Sequence, residues 1–239
     1  MKISVCILTY NHSKYIQQCI DSVLEQQVNF DYEIIIADDF STDNTRAILT
    51  SYQNLYPDRI RLLLNTENIG IAENYKSIFN NAQGEYIAIC EGDDYWCDMT
   101  KLQKQCDFLD NHQDYSFVGA YNNLLTQTGE VIYDKYDYLP KPDIIHDWEL
   151  YGEIFNIAKL GPVTRTVTIC FRKQIIEPYL HISGVGNDMV LQTILSYYGK
   201  FAKIKSVMGV YRLGSGISTD PNNLQKKLYY NEWYVGNRL

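Results

Sequence analysis

The alternation of short apolar runs with amphipathic segments over the first hundred residues constrains the fold more than any other feature. The runs have the length of strands, and the segments between them repeat apolar residues every three or four positions, as helices do. The predicted strands cover residues 3–8, 32–37, 60–64 and 86–90. Apolar strands that alternate with helices predict an α/β fold with a central, mostly parallel sheet flanked by helices.

The helices predicted between these strands cover residues 15–24, 45–55 and 72–81. Short polar side chains stabilise a helix start because they accept hydrogen bonds from its free N–H groups. We therefore expect Ser13 to cap the first helix, and the Ser41-Thr42-Asp43 run to cap the second.

The pattern is less regular beyond residue 99. Thr100 and Gln103 fit a capping box for a helix over residues 100–109. An irregular segment over 134–161 is rich in Tyr, Pro and Asp, and its length suggests a functional loop or lid. The remaining predictions are strands over 116–121, 130–133, 165–171 and 202–211, and a helix over 188–198.

Charge and composition argue against several classes of protein. The chain carries 21 Lys and Arg against 29 Asp and Glu, a net charge of −8, whereas a nucleic-acid-binding protein needs a basic face. No apolar stretch approaches the roughly 20 residues that span a bilayer, and no signal peptide is recognisable. The six cysteines include no C-x-x-C pair and read as reduced core residues. These features predict a cytoplasmic protein without a nucleic-acid partner.

Polar residues follow three of the predicted strands. They are Thr9-Tyr10-Asn11, Asp38-Asp39 and Glu91-Gly92-Asp93-Asp94. Ligands of a parallel sheet bind at the carboxyl ends of its strands, so these residues are expected to converge there. The five carboxylates would repel one another unless a cation joined them, and Mg²⁺ or Mn²⁺ with phosphate-bearing ligands suits such oxygen donors. The alternative is a set of solvated loop carboxylates that cap helices, which is the role expected of Asp43.

Four motifs in order resemble one known family. They are S-V-C-I-L-T-Y-N, A-D-D-F-S-T-D-N-T, E-N-I-G and G-E-Y-I-A-I-C-E-G-D-D-Y-W. Over residues 3–96 the chain resembles the donor half of family 2 inverting glycosyltransferases, and a weaker resemblance continues to about residue 212. The resemblance implies a GT-A (Rossmann-like) fold and sugar transfer from a nucleotide-sugar donor to an acceptor hydroxyl. It also implies one catalytic domain over residues 1–220, with a nucleotide-sugar-binding half (1–98) and an acceptor-binding half (99–220). A C-terminal tail over 221–239 is expected to be helical.

The resemblance assigns roles to individual residues. Tyr10 would stack on the nucleobase, Asp39 would hydrogen-bond its edge, and Asp94 would bind Mn²⁺ or Mg²⁺ that bridges the diphosphate, with Asp93 close to the metal and the ribose or sugar. The remaining donor-binding residues implied are Thr9, Asn11, Asp38, Asn68 and Arg212. Glu91 stands where many relatives have an Asp, and its extra methylene makes direct metal ligation doubtful. Ile71-Ala72-Glu73-Asn74 lacks the basic residue that many relatives carry after this turn.

An inverting transferase needs a general base that takes the proton of the attacking hydroxyl. The family places an Asp before a helix in its second half, and Gly186-Asn187-Asp188 fits that pattern. Asp188 could equally be a helix cap, although nearby glycines favour a substrate-facing loop. Arg212 could meet the diphosphate or pair with a surface acid, and Trp96 could contact the acceptor or lie in the core. His12, by contrast, shows no ligand spacing and reads as ordinary.

Three other functions compete with glycosyl transfer. A sugar-phosphate nucleotidyltransferase would open with a glycine-rich basic loop, whereas this chain has Thr9-Tyr10-Asn11-His12-Ser13-Lys14. A signalling receiver domain is about half as long and has its acidic pair after the first strand. A catalytically inactive nucleotide-sugar-binding relative is disfavoured by Asp94 and Asp188.

The expected substrates and location follow only from what is usual in the family that the chain resembles. Uracil is the expected base, with guanine and thymine left open. The acceptor would be a saccharide or lipid-linked saccharide in surface polysaccharide assembly. Such an acceptor implies peripheral association with the inner membrane face, and a homodimer is also left open.

Overall fold

The computed structural model describes residues 1–133, 148–151, 164–182 and 188–215 of the 239-residue chain. Its strands are β1 (Ile3–Thr9), β2 (Tyr32–Asp38), β3 (Ile60–Leu64), β4 (Tyr86–Glu91), β5 (Tyr95–Trp96), β6 (Tyr115–Leu125), β7 (Val131–Tyr133), β8 (Trp148–Tyr151), β9 (Cys170–Arg172) and β10 (Lys200–Arg212). Its α-helices are α1 (Ile16–Leu24), α2 (Thr45–Leu55), α3 (Gly70–Asn81), α4 (Lys101–Asn111), α5 (Glu177–Leu180) and α6 (Asp188–Tyr198). Two 3₁₀ turns cover Thr166–Thr168 and Lys173–Ile175.

The described strands form one mostly parallel sheet, in the order β3-β2-β1-β4-β9-β6-β10-β5. Strands β3, β2, β1 and β4 are parallel neighbours, and β6 is parallel to β10. Strand β9 is antiparallel to both β4 and β6 and joins the two parallel sets. Strands β7 and β8 pair with β6 and β10. The predicted α/β fold with a mostly parallel sheet is confirmed.

Both faces of the sheet are buried, as the apolar strands predict. Strand β1 directs Ile3, Val5 and Ile7 into a core with residues of α1, α2 and α4. Its alternate residues Cys6 and Leu8 lie in a second core with residues of α3 and α6. Because every residue of β1 is buried, no polar and apolar alternation develops along it. Five of the six cysteines are buried and all are free, and Cys97 is exposed.

Two predicted caps are wrong. Helix α1 begins at Ile16, and the Ser13 N–H donates instead to the Asp43 carboxylate at 3.0 Å. Thr100 precedes α4 without a side-chain cap, and its own N–H donates to Asp98 at 2.8 Å. The Thr100 hydroxyl also donates to Asp98, at 2.7 Å, so it is engaged outside the helix.

The predicted strand over 165–171 is also wrong for most of its length. Residues Thr166–Thr168 form a 3₁₀ turn, and the strand there is only Cys170–Arg172. The Trp96 indole N–H donates to the Val167 carbonyl at 2.7 Å, and the Gln105 amide donates to the Thr168 carbonyl at 2.7 Å. These distant side chains satisfy the turn's backbone, so it needs no strand partner.

Part of the sequence prediction falls outside the described residues. The irregular segment 134–161 contains β8, and the rest of that segment is not described. The same holds for Gly184, Gly186, Asn187 and the tail 221–239. The division at residue 98 stays a prediction. No helix within the described ranges has the length and apolar character that crossing a bilayer requires.

Candidate functional site

The carboxyl ends of β1, β2 and β4 bring the predicted polar clusters to one edge of the sheet. The parallel register places Thr9 beside Asp38, and Leu8 beside Glu91. The loop after β4 returns to β1, because the Gly92 N–H donates to the Leu8 carbonyl at 2.8 Å. The convergence that the sequence predicts is therefore present.

Asn11 joins the loop after β1 to the loop after β2. Its backbone N–H donates to Ser41 Oγ at 2.8 Å, and its side-chain oxygen accepts from the N–H groups of Thr42 (2.8 Å) and Asp43 (3.3 Å). Its φ of +57° lies in the left-handed region, which Asn tolerates better than most residues. Asn11 thus has a structural role, and its contact with a donor stays a prediction.

Asp38 and Asp39 are buried, and each already has protein partners. Asp38 Oδ1 accepts from the Arg46 guanidinium and from the Ser41 N–H, so its charge has a cationic partner. Its buried Oδ2 has no hydrogen-bond partner within the described residues. The Asp39 carboxylate lies at the start of α3, where Ile69 N–H and Gly70 N–H donate to it at 2.8 and 2.9 Å. The positive end of a helix favours a carboxylate there.

Asp39 keeps the capacity for one more hydrogen bond. The Asn65 side-chain amide supplies its third donor at 3.1 Å, and an ionised carboxylate accepts about four hydrogen bonds. Asn68 holds the same loop, because its amide donates to the Asp39 carbonyl at 3.2 Å. Beside them Tyr10 is 41% exposed, as a ring that stacks on a ligand must be.

Arg212 binds the acidic loop after β4. Its backbone N–H donates to Asp94 Oδ1 at 2.8 Å, and its Nε donates to the Asp93 carbonyl at 2.8 Å. Ser215 Oγ donates to Asp93 Oδ2 at 2.8 Å. The guanidinium also lies over the ring of Tyr15, at 4.4 Å from its centroid. Arg212 therefore binds the acidic loop in place of the ion pair with a surface acid that the sequence left open.

Asp94 is buried beside other carboxylates at this edge. It is 1% exposed, and burial raises the pKa of its carboxyl well above the usual value, with Asp93 and Glu91 adding to the rise. Its Oδ2 atom has no hydrogen-bond partner within the described part of the chain. A buried polar atom without a partner is costly, so Oδ2 is suited to a ligand such as a cation.

The five carboxylates do not gather around one point, contrary to the expectation from sequence. Asp38 is neutralised by Arg46, and Asp39 by the start of α3. Across the described ranges, no group of three or more His, Cys, Asp and Glu side chains could hold a metal ion. Mg²⁺ sites commonly combine one or two carboxylates with phosphates and water, so a site built on Asp93 and Asp94 would need no third carboxylate.

Asp188 and Glu91 lie near a shared tyrosine. The Tyr75 hydroxyl donates to Glu91 Oε1 at 3.1 Å. Burial raises the pKa of Tyr75 well above its usual value, and the charges of Glu91 and then Asp188 add to this rise. Asp188 is the first residue of α6 and is half-buried. Both roles considered for it, helix cap and general base, are compatible with this position.

His12 is a site residue that the sequence did not reveal. Burial lowers its pKa, while the charges of Asp93, Asp43 and Asp38 oppose that shift. His12 Nδ1 and Thr9 Oγ1 have no partner in the described structure, and a Cβ on Gly92 would lie 2.9 Å from both. In the sequence, only its position directly after Thr9-Tyr10-Asn11 could have indicated that His12 lies at this site.

Trp96 belongs to the core rather than to the acceptor site. It is 4% exposed, and its indole N–H is held by Val167. The buried Lys101 ammonium lies 4.1 Å from its ring centroid. This settles the choice between acceptor contact and core packing in favour of the core.

Comparison with known proteins extends this picture. The chain is 45% identical over 109 residues to an uncharacterized protein of Mycobacterium tuberculosis, covering 46% of this chain and 32% of that protein. It is 42% identical over 217 residues to an uncharacterized glycosyltransferase of Nostoc sp., covering 89% and 65%. It is 31% identical over 113 residues to the poly(ribitol-phosphate) beta-N-acetylglucosaminyltransferase TarS of Staphylococcus aureus, covering 47% and 19%. The chain thus spans about a third of the mycobacterial relative.

Solved structures show the same fold. A crystal structure of Staphylococcus aureus TarS with UDP-GlcNAc matches with a TM-score of 0.68 at 18% identity, covering 98% of this chain and 66% of that one. The mannosyltransferase PcManGT of Pyrobaculum calidifontis, with GDP-Man and Mn²⁺, matches with a TM-score of 0.66 at 16% identity, covering 99% and 62%. The expected GT-A fold is confirmed.

The model of glycosyl transferase family 2 matches residues 4–159, which include the β1, β2 and β4 loops described above. The chain belongs to glycosyl transferase family 2.

Proposed function

We propose that the chain is a metal-dependent, inverting glycosyltransferase that moves a sugar from a nucleoside diphosphate sugar to an acceptor hydroxyl. Membership of family 2 supports the transfer reaction. The observation that carries the proposal is the unpartnered, buried Oδ2 of Asp94, held between the β4 loop and Arg212. A cation bound by Asp94 and a diphosphate would satisfy that atom.

The nucleoside end of the donor would lie over the loops after β1 and β2. Tyr10 offers an exposed ring for stacking, and Asp39 has one hydrogen-bond position left for a base N–H. UDP is the first choice of nucleotide, because the TarS structure holds UDP-GlcNAc. The GDP-Man in the mannosyltransferase keeps guanine open.

The diphosphate end would lie at Asp93, Asp94 and Arg212. Asp94, with Asp93 beside it, would hold Mn²⁺ or Mg²⁺, and the Mn²⁺ of the related mannosyltransferase supports this choice. Such an ion neutralises the charge that develops on the leaving diphosphate. Arg212 donates two guanidinium hydrogen bonds, to Asp93 and Gln18, and its other N–H groups suit an anionic ligand.

Asp188 would accept the proton of the attacking hydroxyl. It starts α6, and its charge reaches Tyr75, which binds Glu91 of the β4 motif. These two interactions support a place for the base near the β4 motif. A carboxylate there would activate an acceptor hydroxyl for attack from the face opposite the diphosphate, which inverts the sugar.

The acceptor proposed is a saccharide or lipid-linked saccharide of a surface polysaccharide. The name of TarS, a poly(ribitol-phosphate) beta-N-acetylglucosaminyltransferase, supports a polymer as the acceptor. A lipid-linked acceptor would bring the protein to the inner membrane face from the cytoplasm.

The test is a screen of nucleoside diphosphate sugars for nucleoside diphosphate release, with Mn²⁺ present and with EDTA. We expect release from one base class only, and only with the metal. Absence of release from every donor with every acceptor tried, together with donor binding, would favour an inactive sugar-nucleotide-binding relative instead.

A further inference from the structure

Phe40 has a backbone conformation that its residue type disfavours. Its φ is +64°, in the left-handed region that glycine enters freely and bulky residues avoid. Phe40 directly follows Asp39, at the proposed nucleoside end of the site. A strained residue in such a place suggests that the side chain has a use beyond forming the turn.

The ring of Phe40 rests on the guanidinium of Arg46, which is itself hydrogen-bonded. The Arg46 guanidinium carbon lies 5.2 Å from the ring centroid. Arg46 is itself held by the Asp38 carboxylate and by the Asn65 carbonyl. The ring is nevertheless 41% exposed, so this contact does not bury it. One part of the ring is anchored and the rest faces solvent.

Phe40 is one of four exposed ring or aliphatic side chains on the loops whose backbone contacts Asp39. Tyr10 follows Thr9, whose carbonyl accepts from the Asp39 N–H at 3.0 Å. Ile69 and Gly70 donate their N–H groups to that carboxylate, and Ile71 comes next. The exposures are 41% for Tyr10, 41% for Phe40, 37% for Ile69 and 48% for Ile71.

We propose that Phe40 is a donor-binding residue whose ring forms an outer wall for the nucleobase. This inference rests on the proposed function. A flat base that donates one ring N–H to Asp39 would cover the apolar side chains and complete the carboxylate's hydrogen bonds. Uracil, thymine and guanine carry such an N–H and cytosine does not, so the Asp39 carboxylate favours the first three, while the Phe40 ring would stack on any base.

The test compares a ligand that has a base with one that does not. UDP, GDP and dTDP are titrated by calorimetry with Mn²⁺, and the tightest is taken forward beside inorganic pyrophosphate. Phe40→Gly removes the ring, and glycine suits the left-handed backbone. Phe40→Asn also removes the ring and tolerates this backbone, but keeps a side chain. Phe40→Tyr keeps an aromatic face. Tyr56→Ala is the control, because Tyr56 is similarly exposed (43%) beyond the far end of α2.

We expect Phe40→Gly and Phe40→Asn to weaken nucleoside diphosphate binding by about fivefold or more, the usual worth of a base–aromatic stack. Pyrophosphate binding should stay unchanged, Phe40→Tyr should bind as the wild type does, and thermal unfolding should show both variants folded. Wild-type affinity in Phe40→Gly, or an equal loss for both ligands, would overturn the role of Phe40. Absence of nucleoside diphosphate binding by the wild type would instead sink the proposed function.

Discussion

At the scale of single residues, the chemistry of this chain depends on side chains that are held before any substrate arrives. Asp93 and Asp94 were predictable because two carboxylates follow a buried strand in a parallel sheet. Arg212 was predicted either to meet the diphosphate or to pair with a surface acid. Its contact with Asp94 was not predicted, because the two residues lie 118 positions apart and local patterns carry no information over that range. Tyr75 was missed because its contact with Glu91 joins residues 16 positions apart.

Asp94→Asn should weaken nucleoside diphosphate binding in Mn²⁺ by about tenfold or more, and leave binding in EDTA unchanged. Without metal, the Asp94→Asn variant should be at least as stable as the wild type. The substitution replaces a buried carboxylate that lacks a full set of partners with a neutral group. Calorimetric titration measures both affinities, and Asp107→Asn, an exposed carboxylate on α4, is the control. Equal metal-dependent affinity in wild type and variant would remove Asp94 from the metal site.

Asp188→Asn should lower the rate of sugar transfer by about 10²–10⁴-fold while the donor dissociation constant stays the same. Asn caps a helix as well as Asp does, so the start of α6 should be preserved. The measurement is donor turnover beside donor affinity, with Asp114→Asn, a fully exposed carboxylate, as the control. If the variant turned over at a near-normal rate, Asp188 would be a helix cap and the base would lie elsewhere.

At the scale of elements, the buried strands were the easiest to predict and the connections the hardest. Strands β1 to β4 have no polar alternation because both faces are covered, and that pattern is visible locally. The 3₁₀ turn at Thr166–Thr168 was not predictable, since Trp96 and Gln105, some 60 to 70 residues earlier, satisfy its backbone. Tertiary contacts override local propensity at such places.

Gly84→Ala should destabilise the junction of α3 and β4 by about 3 kcal/mol, at the upper end for overpacking. A Cβ there would lie 2.3 Å from the Ser4 nitrogen and 2.5 Å from the Ile3 carbonyl carbon, and this backbone belongs to the central strand β1. Gly129→Ala has open space but a φ of +85°, so it should cost only about 1 kcal/mol. Urea unfolding measures both, and an equal loss would contradict this account of Gly84.

Asp43→Ala should lower the free energy of unfolding by about 1 kcal/mol at neutral pH, because Asp43 accepts from the N–H groups of Thr45 and Ser13. Burial alone would raise the pKa of Asp43, but these hydrogen bonds lower it from 3.8 to about 2. The stabilisation is therefore complete above about pH 4 and is lost as the pH falls through 2.

The difference between wild type and Asp43→Ala should accordingly shrink between pH 4 and pH 2, as measured by denaturant unfolding. The exposed Asp58→Ala serves as the comparison. A difference that is constant over this range would show that the charge of Asp43 has no part in joining the two loops.

At the scale of the whole molecule, fold and family follow from motifs that stand in order along the chain, whereas the assembled site does not. The sheet brings together loops from residues 9, 38 and 91, as any parallel sheet would. Arg46 pairs with one of the carboxylates, and the start of α3 binds another. Packing between the loops decides which carboxylates are bound in this way and which are left for a ligand. The sequence predicted that five carboxylates meet at this edge, but not that Arg46 and the start of α3 already bind two of them.

The most direct test of glycosyl transfer with inversion is a time-resolved proton NMR spectrum of the reaction. The tightest-binding nucleoside diphosphate sugar is supplied with Mn²⁺ and an acceptor, or with water alone as a slow acceptor. The proposal predicts that nucleoside diphosphate and a product of opposite anomeric configuration appear at the same rate, before mutarotation. A product that keeps the configuration of the donor, or a donor that stays intact in every case, would contradict it.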